Sequence, residues 1–417
     1  MTAARGKLET LVLAAFALAT ALLVLDRWTV TGLDPLAYGR IWQLFVNYAD
    51  FGFTRRALVG TLLQMTGASR LFANEYYFAI FAQHLAIVAL VIVTTAYFIR
   101  TKAQHSLLFK AVVYLSPAFI LQSAYTTGSL DVFVVTIVAA NVLLVRRLWL
   151  FSALLVLGVL VHELFLFTVP AQLIALYVRR DLDIVGRRGE ALRTLGPPVA
   201  AAAIAALLIK LFGACHLSRE QYEATMAALI PHAAHKIDLW SGYFEVSSSV
   251  DQNARTPGFL LRHLAEKFVY IAIPIGYLAT LVALLVRQER GLIWKAALAG
   301  ASLAPLVVYL VATDFYRWVG LSADMAILLL VTYADARGVQ FGRAWLVAVL
   351  CFSLLAPFGG AVIENPFPAH KFLLQKLMGQ GHGRGHEPVD AALQAPRNHL
   401  RMAGAAAAAP RADGARG

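Results

Sequence analysis

Long apolar stretches alternate with short basic connections along this chain, and the apolar stretches have the lengths that a bilayer demands. A hydrocarbon core about 30 Å thick takes roughly 20 apolar residues per helix, with a range of about 17 to 25. On that ruler the pattern predicts eleven spans: Thr10 to Leu25, Tyr76 to Ile99, Ser106 to Gln122, Val132 to Val145, Trp149 to Val161, Leu164 to Val178, Pro197 to Phe212, Val269 to Val286, Ala296 to Thr313, Trp318 to Tyr333 and Ala344 to Val362. The expected fold class is all-α, a polytopic transmembrane helical bundle. The stretch from Leu148 to Val178 is too long for one helix and short for two. It reads as two short helices meeting at His162-Glu163, a charged pair better placed at an interface or cavity than in lipid. Arg5 and Lys7 precede the first apolar run as in a signal peptide, but the run continues to Asp26 with no small-x-small site after it, so an uncleaved span is expected.

Two external connections are long, 26–75 and 214–268. The first carries Leu36, Ile41, Trp42, Leu44, Phe45 and Tyr48, then Leu58, Leu62 and Leu63, spaced for helices lying in the interface with aromatic anchors. The second starts as a helix through Tyr222 and Leu229, passes a polar stretch from Ser247 to Asn253 and returns through Leu260-Leu261-Arg262-His263-Leu264, placed to close over a site. Met1 to Ile363 is therefore expected to form the transmembrane domain. The remainder, 364–417, is Gly- and His-rich and then Ala-rich and reads as a disordered tail, in which His370, His382 and His386 have the spacing of no defined metal site.

Composition narrows the class further. A net charge of +12 raises the question of nucleic acid, but 59% hydrophobic residues is too many for a soluble basic domain. The surplus lies in the connections on one side, where sixteen basic residues, among them Arg100, Arg146, Arg147, Arg179, Arg180 and Arg337, face six acids. That bias places the amino terminus in the cytoplasm, explains the charge without a nucleic-acid partner and suits a bacterial inner membrane. Cys215 and Cys351, at a loop start and in a span, imply no disulfide. Soluble-enzyme signatures are absent: no Gly-Lys-Ser phosphate loop, dinucleotide fingerprint, His-Glu-x-x-His or Cys-x-x-Cys.

Ionisable residues near span ends cost about 2.5 to 3.5 kcal/mol each on insertion scales, so those on the outer face need a reason. Asp50 precedes Arg55-Arg56, Asp131 ends the turn Thr126-Thr127-Gly128-Ser129-Leu130, Glu163 follows His162, and Asp314 and Arg317 flank Phe315-Tyr316. Adjacent guanidinium groups beside a carboxylate suit a phosphate or pyrophosphate ligand, or else an ion pair with Asp50. Arg317 suits a phosphate clamp, or an ion-pair ladder with Asp324 two turns on. His162-Glu163 suits proton handling or a polar turn. Asp131 suits a site or a helix cap.

This layout resembles the C-type superfamily of integral membrane glycosyltransferases, which use lipid-phosphate-linked sugars. The resemblance spans Met1 to about Val362. It rests on one amino-terminal span, a long external loop with interfacial helices and the acid Asp50, and short paired helices in the middle. The turn Gly128-Ser129-Leu130-Asp131 is also similar to a Gly-Gln-x-Asp-like turn of several members. The chain departs where many members have an Asp-Glu or Asp-Asp pair in the first loop, for Asp34 and Asp50 are sixteen residues apart, and Ser129 replaces the turn's Gln. The resemblance implies sugar transfer from a polyprenyl-phosphate donor to an external glycan, lipid or protein acceptor, with inversion. Asp50 first, then Asp131 or Glu163, is implied as general base, with Arg55, Arg56 and Arg317 holding the lipid phosphate and His162 and Asp314 completing the substrate site. The scheme requires no metal or other cofactor, although clustered acids leave room for a divalent ion. Two rivals stand beside it: a secondary transporter or flippase of an anionic or lipid-linked substrate, and a polysaccharide polymerase or ligase, which the loop 214–268 also suits.

Overall fold

A computed structural model describes residues 2–30, 39–101, 105–124, 128–182, 186–248, 262, 268–310, 312 and 314–355. Met1–Leu374 forms one compact unit, and a second, Gln375–Gly417, lies outside the described residues, as do Asp34 and the segment 364–417. The described residues contain helices and no strand.

The first helix, α1, runs Thr2–Val30. The first long connection then folds into a 3-10 turn Ile41–Leu44, the short α2 (Tyr48–Phe51) and α3 (Ala57–Met65). The next helix, α4 (Glu75–Arg100), is capped by the Asn74 side chain, which accepts from the Tyr76 and Tyr77 amides. After α5 (Leu107–Tyr114) the chain continues as a π turn Pro117–Leu121 and a 3-10 turn Gln122–Ala124. The fourth apolar stretch becomes α6 (Asp131–Ala139), extended by a π turn Ala140–Leu144. Next come α7 (Leu148–Val161), a 3-10 turn Glu163–Thr168, α8 (Val169–Arg179) and α9 (Arg188–Phe212). The second long connection holds α10 (Arg219–Leu229), closed by a Ser218/Gln221 capping box, and α11 (Leu239–Ser247). The bundle is completed by α12 (Phe268–Val286), α13 (Leu292–Leu303), α14 (Phe315–Arg337) and α15 (Arg343–Leu355).

Among the described residues, six helical segments are long and apolar enough to cross a membrane: Ala4–Leu23, Glu75–Arg100, Leu107–Ala124, Arg188–Phe212, Leu292–Leu310 and Phe315–Arg337. Four more are apolar but shorter: Asp131–Leu144, Leu148–Val161, Ala272–Val286 and Arg343–Ser353. Two of the long helices show opposite burial. In α9, Leu192, Ile204, Leu207, Leu211 and Phe212 are more than half exposed, an apolar surface that water would penalise and lipid would not. Every residue of α14 from Phe315 to Ala334 is buried, as expected of a helix with apolar residues on every side, and this burial includes Arg317 and Asp324. Thus α14 is the axis of the bundle, packed by α8, α12 and α13, while α9 lies outside against α7.

The expected break in the stretch from Leu148 to Val178 is present. The backbone leaves helical geometry at His162 (φ −160°, ψ 131°), whose Nδ1 accepts the Leu164 amide at 3.1 Å and so caps the 3-10 turn that begins at Glu163. This junction, the start of α6 and the start of α14 lie at one end of the bundle, because each element runs from there toward a basic end marked by Arg146, Arg179 and Arg337. From Phe315 to Arg337 the 23 residues of α14 separate the two ends by about 34 Å at 1.5 Å per residue.

Candidate functional site

At the end where α6, the His162-Glu163 junction and α14 begin, three arginines are chained together by four carboxylates. Arg317 embraces Asp131 with two hydrogen bonds, Nε to Oδ2 at 2.7 Å and Nη2 to Oδ1 at 2.8 Å, and its Nη1 donates to Asp314. Asp314 also accepts from Arg40 Nη2 at 2.8 Å, and Arg40 Nη1 reaches Glu245 at 3.4 Å. Glu245 is also the acceptor for Arg56 Nη1 and, at 3.5 Å, for the Gln43 amide. Arg56 in turn grips Glu163, with Nε 3.0 and 3.2 Å from the two carboxylate oxygens and Nη2 donating to Oε1. His162 lies 3.3 Å from Glu163 through Nδ1, and its buried Nε2 has no partner among the described residues. Planar guanidinium forks meeting carboxylates in this way give the strongest and most directional ion pairs available to a protein.

Local sequence explains how these groups are aimed. Gly128 adopts φ +86°, and a Cβ there would come within 2.6 Å of the Ile41 Cα, so only glycine lets the turn before α6 press on the first long connection. Gln43 fastens the same contact by accepting the Leu130 amide at 3.2 Å. Arg56 is one of two non-glycine residues with positive φ among those described, at 67°, a backbone state that costs on the order of 1–2 kcal/mol. It is tolerated where its guanidinium must meet Glu163 and Glu245 together, and strain of this kind concentrates at functional sites.

The electrostatics follow from this pairing. Burial works against ionisation of Glu163, but the Arg56 guanidinium outweighs it and holds the carboxyl well below its ordinary value. Burial opposes charge on Glu245 as well, and Arg40 and Arg56 overcome it and pull that carboxyl down. Arg56 loses to burial and gains more from Glu163 and Glu245, so it stays charged above its usual range. The neighbouring Arg55 is lowered by burial, and the carboxylates near it only partly compensate.

The structure gathers six of the eight candidate residues: Asp131, Glu163, Arg56, His162, Asp314 and Arg317. Asp50 stands apart. It is exposed, and its carboxylate is held by Asn47 Nδ2 at 2.7 Å and more loosely by Gln64 at 3.4 Å, which corrects the expected pairing with Arg55 and Arg56. The reason is local: Asn47 caps α2 by accepting the Asp50 amide at 2.8 Å, so Asp50 is folded back onto its own helix. Arg55 turns to backbone instead, donating to the Ser248 carbonyl at 2.5 Å. Asp131 is no helix cap, because Leu130 occupies that position. The expected ladder between Arg317 and Asp324 is not formed either. Asp324, 2% exposed, keeps an oxygen without a partner among the described residues and lines a small cavity with Gln122, Ser123, Ser129, Asp131 and Arg317.

Two members of the network, Arg40 and Glu245, were not singled out from the sequence. The partners of Arg40 lie 205 and 274 residues away, so nothing in its own stretch of chain pointed to them. Glu245 did carry a signal, a single acid in the apolar run Tyr243-Phe244-Glu245-Val246. Among the described residues no three His, Cys, Asp or Glu side chains converge as metal ligands would, since arginines separate the four carboxylates. Comparison with protein-family models, curated proteins and solved structures gives no match.

Proposed function

We propose that the chain is an integral membrane glycosyltransferase that moves a sugar from a polyprenyl-phosphate donor to an acceptor hydroxyl at the end of the bundle bearing the arginine–carboxylate network. Eleven crossings belong to this reading: the six long helices, the four shorter apolar ones and the segment from Leu164 to Val178. So do an amino terminus in the cytoplasm of a bacterium, a site facing the exterior across the inner membrane, and membership of the C-type superfamily. The observation that carries it is the pair Arg317–Asp131. Phosphate takes the same two-pronged geometry from guanidinium as carboxylate does, so a donor phosphate competes with Asp131 for Arg317.

The exchange serves both halves of the reaction. The acceptor oxygen attacks the anomeric carbon, its proton passes to the Asp131 carboxylate, and the bond from that carbon to the phosphate oxygen breaks with inversion. Arg317 and Arg56 take up the charge that accumulates on the departing lipid phosphate, a group that leaves without being protonated. Asp131 replaces Asp50 as the base in this reading because it borders both Arg317 and the cavity, whereas Asp50 is turned away. The cavity has only about 40 Å³ of room for water centres, so admitting a sugar requires the network to open. The apolar residues Phe53, Leu62, Met65 and Leu71, exposed in the first external connection, offer a landing surface for the lipid chain.

One observation favours a transporter instead: Asp324, buried within α14, resembles the intramembrane acids that couple proton movement to transport. Proteoliposomes supplied with radiolabelled polyprenyl-phosphate sugar separate the two. Transfer to an added acceptor that is abolished in Asp131→Asn and retained in Asp50→Asn is the expected result. Passage of intact donor across the bilayer without transfer would replace the enzyme by a flippase.

A further inference from the structure

The opposite end of the bundle carries a basic feature that the network does not use. Arg146, Arg179 and Arg180 line a cavity of about 250 Å³ with Val145 and Leu176, where the connection after α6 meets the end of α8. Two of these arginines have evident structural duties. Arg179 donates to the Val142 carbonyl and, at 2.8 Å, to the Val145 carbonyl, closing the end of the π turn, and Arg180 donates to the Arg146 carbonyl at 2.5 Å. The guanidinium of Arg146 has neither, being exposed and without a hydrogen-bond or ion-pair partner among the described residues. No acid lines the cavity. Two acids of that end have hydrogen-bonded partners outside the cavity, Asp181 with Arg337 at 3.0 Å and Asp335 with the Thr101 hydroxyl, and the Asp335 carboxylate supports the charge of Arg179 from behind without reaching Arg146.

Arg146 and Arg180 each oppose the charge of Arg179, and Asp335 offsets only part of that repulsion, so an anion in the cavity would relieve the rest. Their surroundings say where that anion comes from. Trp149 is 64% exposed at the start of α7, and the Tyr177 ring of α8 stacks on Trp294 of α13 at 4.5 Å between centroids. Leu292 and Ile293 project apolar side chains beside them, 80% and 83% exposed. Tryptophan and tyrosine at a helix end, next to arginine and exposed aliphatic residues, mark the level of lipid headgroups.

We infer that the Arg146–Arg179–Arg180 cavity binds a phosphate group, supplied by the headgroup of an anionic phospholipid in the adjacent leaflet. Arg179 and Arg180 shape the cradle and Arg146 supplies the unspent positive charge. Basic pockets between helices are a general means of holding such headgroups. The inference does not depend on the glycosyltransferase reading.

The full chain, purified in a neutral detergent, is offered phosphatidylglycerol or phosphatidylcholine, and retained lipid is counted by native mass spectrometry. Inorganic phosphate is titrated separately, with the thermal unfolding midpoint as readout. The variant is Arg146→Gln, since an exposed side chain without partners can be exchanged while the carbonyl bonds of Arg179 and Arg180 remain. An equal midpoint for both proteins in phosphatidylcholine confirms that the variant folds. The expected result is preferential retention of phosphatidylglycerol that falls about fivefold in Arg146→Gln. Stabilisation by inorganic phosphate that the variant loses, without a preference for phosphatidylglycerol, supports the phosphate site and assigns it to a soluble ester. Lipid retention and phosphate response both indifferent to Arg146→Gln would overturn the inference.

Discussion

Arg56 offers the sharpest test of whether the network is a coupled unit. Its side chain is 11% exposed and lies between Glu163 and Glu245, themselves 28% and 26% exposed. Replacing it by Gln removes one cation and leaves two carboxylates facing each other. Glu163 would keep no charged partner, because His162 Nδ1, 3.3 Å away, accepts the Leu164 amide, and Glu245 would keep only Arg40, at 3.4 Å, with Gln43 at 3.5 Å. Removing one partner of a buried ion pair costs about 3–5 kcal/mol, mostly as the penalty of the charge left behind. Two charges are left behind here, partly solvated, so the expected loss is on the order of 3–5 kcal/mol for the pair rather than twice that. The triple variant Arg56→Gln, Glu163→Gln, Glu245→Gln removes those charges too and should recover a good part of the loss, about 2 kcal/mol or more. The assay is thermal unfolding of the detergent-solubilised chain by tryptophan fluorescence, at a fixed scan rate because proteins of this size unfold irreversibly. If the triple variant is less stable than the single one, the carboxylates are adequately solvated without Arg56 and the reasoning fails.

Three further outcomes rest on the same geometry. Glu163 and Glu245 are held below the ordinary carboxyl value of about 4.5, so their ionised forms stabilise the fold fully above that value and lose this contribution as pH falls through their lowered values. The unfolding midpoint should therefore be insensitive to these groups from about pH 8 to 5 and drop below about pH 4, and Glu163→Gln with Glu245→Gln should flatten the acid limb; an unchanged limb would contradict the assignment. Gly128→Ala should cost about 2 kcal/mol or more in thermal unfolding, from positive φ and the overlap with Ile41, and an unaltered midpoint would show that the turn is not fixed there. Asp324→Asn should leave the midpoint unchanged or raise it, because an amide fills the same space and can never carry a buried charge; a fall of several degrees would mean that an ionised carboxylate holds a cation there.

What the sequence determined by itself is the part governed by local composition. A run of about 20 apolar residues has few places to go but a bilayer or a buried core, so the apolar segments were legible, as was the break at His162-Glu163, where two ionisable residues interrupt them. Local reading failed where a short-range alternative captured a side chain: Asp50 looked like the partner of Arg55 and Arg56, but Asn47, three residues away, holds it. What only the tertiary structure decided is which charges meet. Arg56 joins Glu163 and Glu245 across 107 and 189 residues, and Arg317 joins Asp131 across 186. No periodicity encodes such pairings. They arise because α6, the junction before α8, and α14 begin at one end of the bundle, where Gly128, through the turn before α6, and Gln43 bind the first long connection against it. There the cost of burying each charge can be offset only by the others, so the fold brings them together.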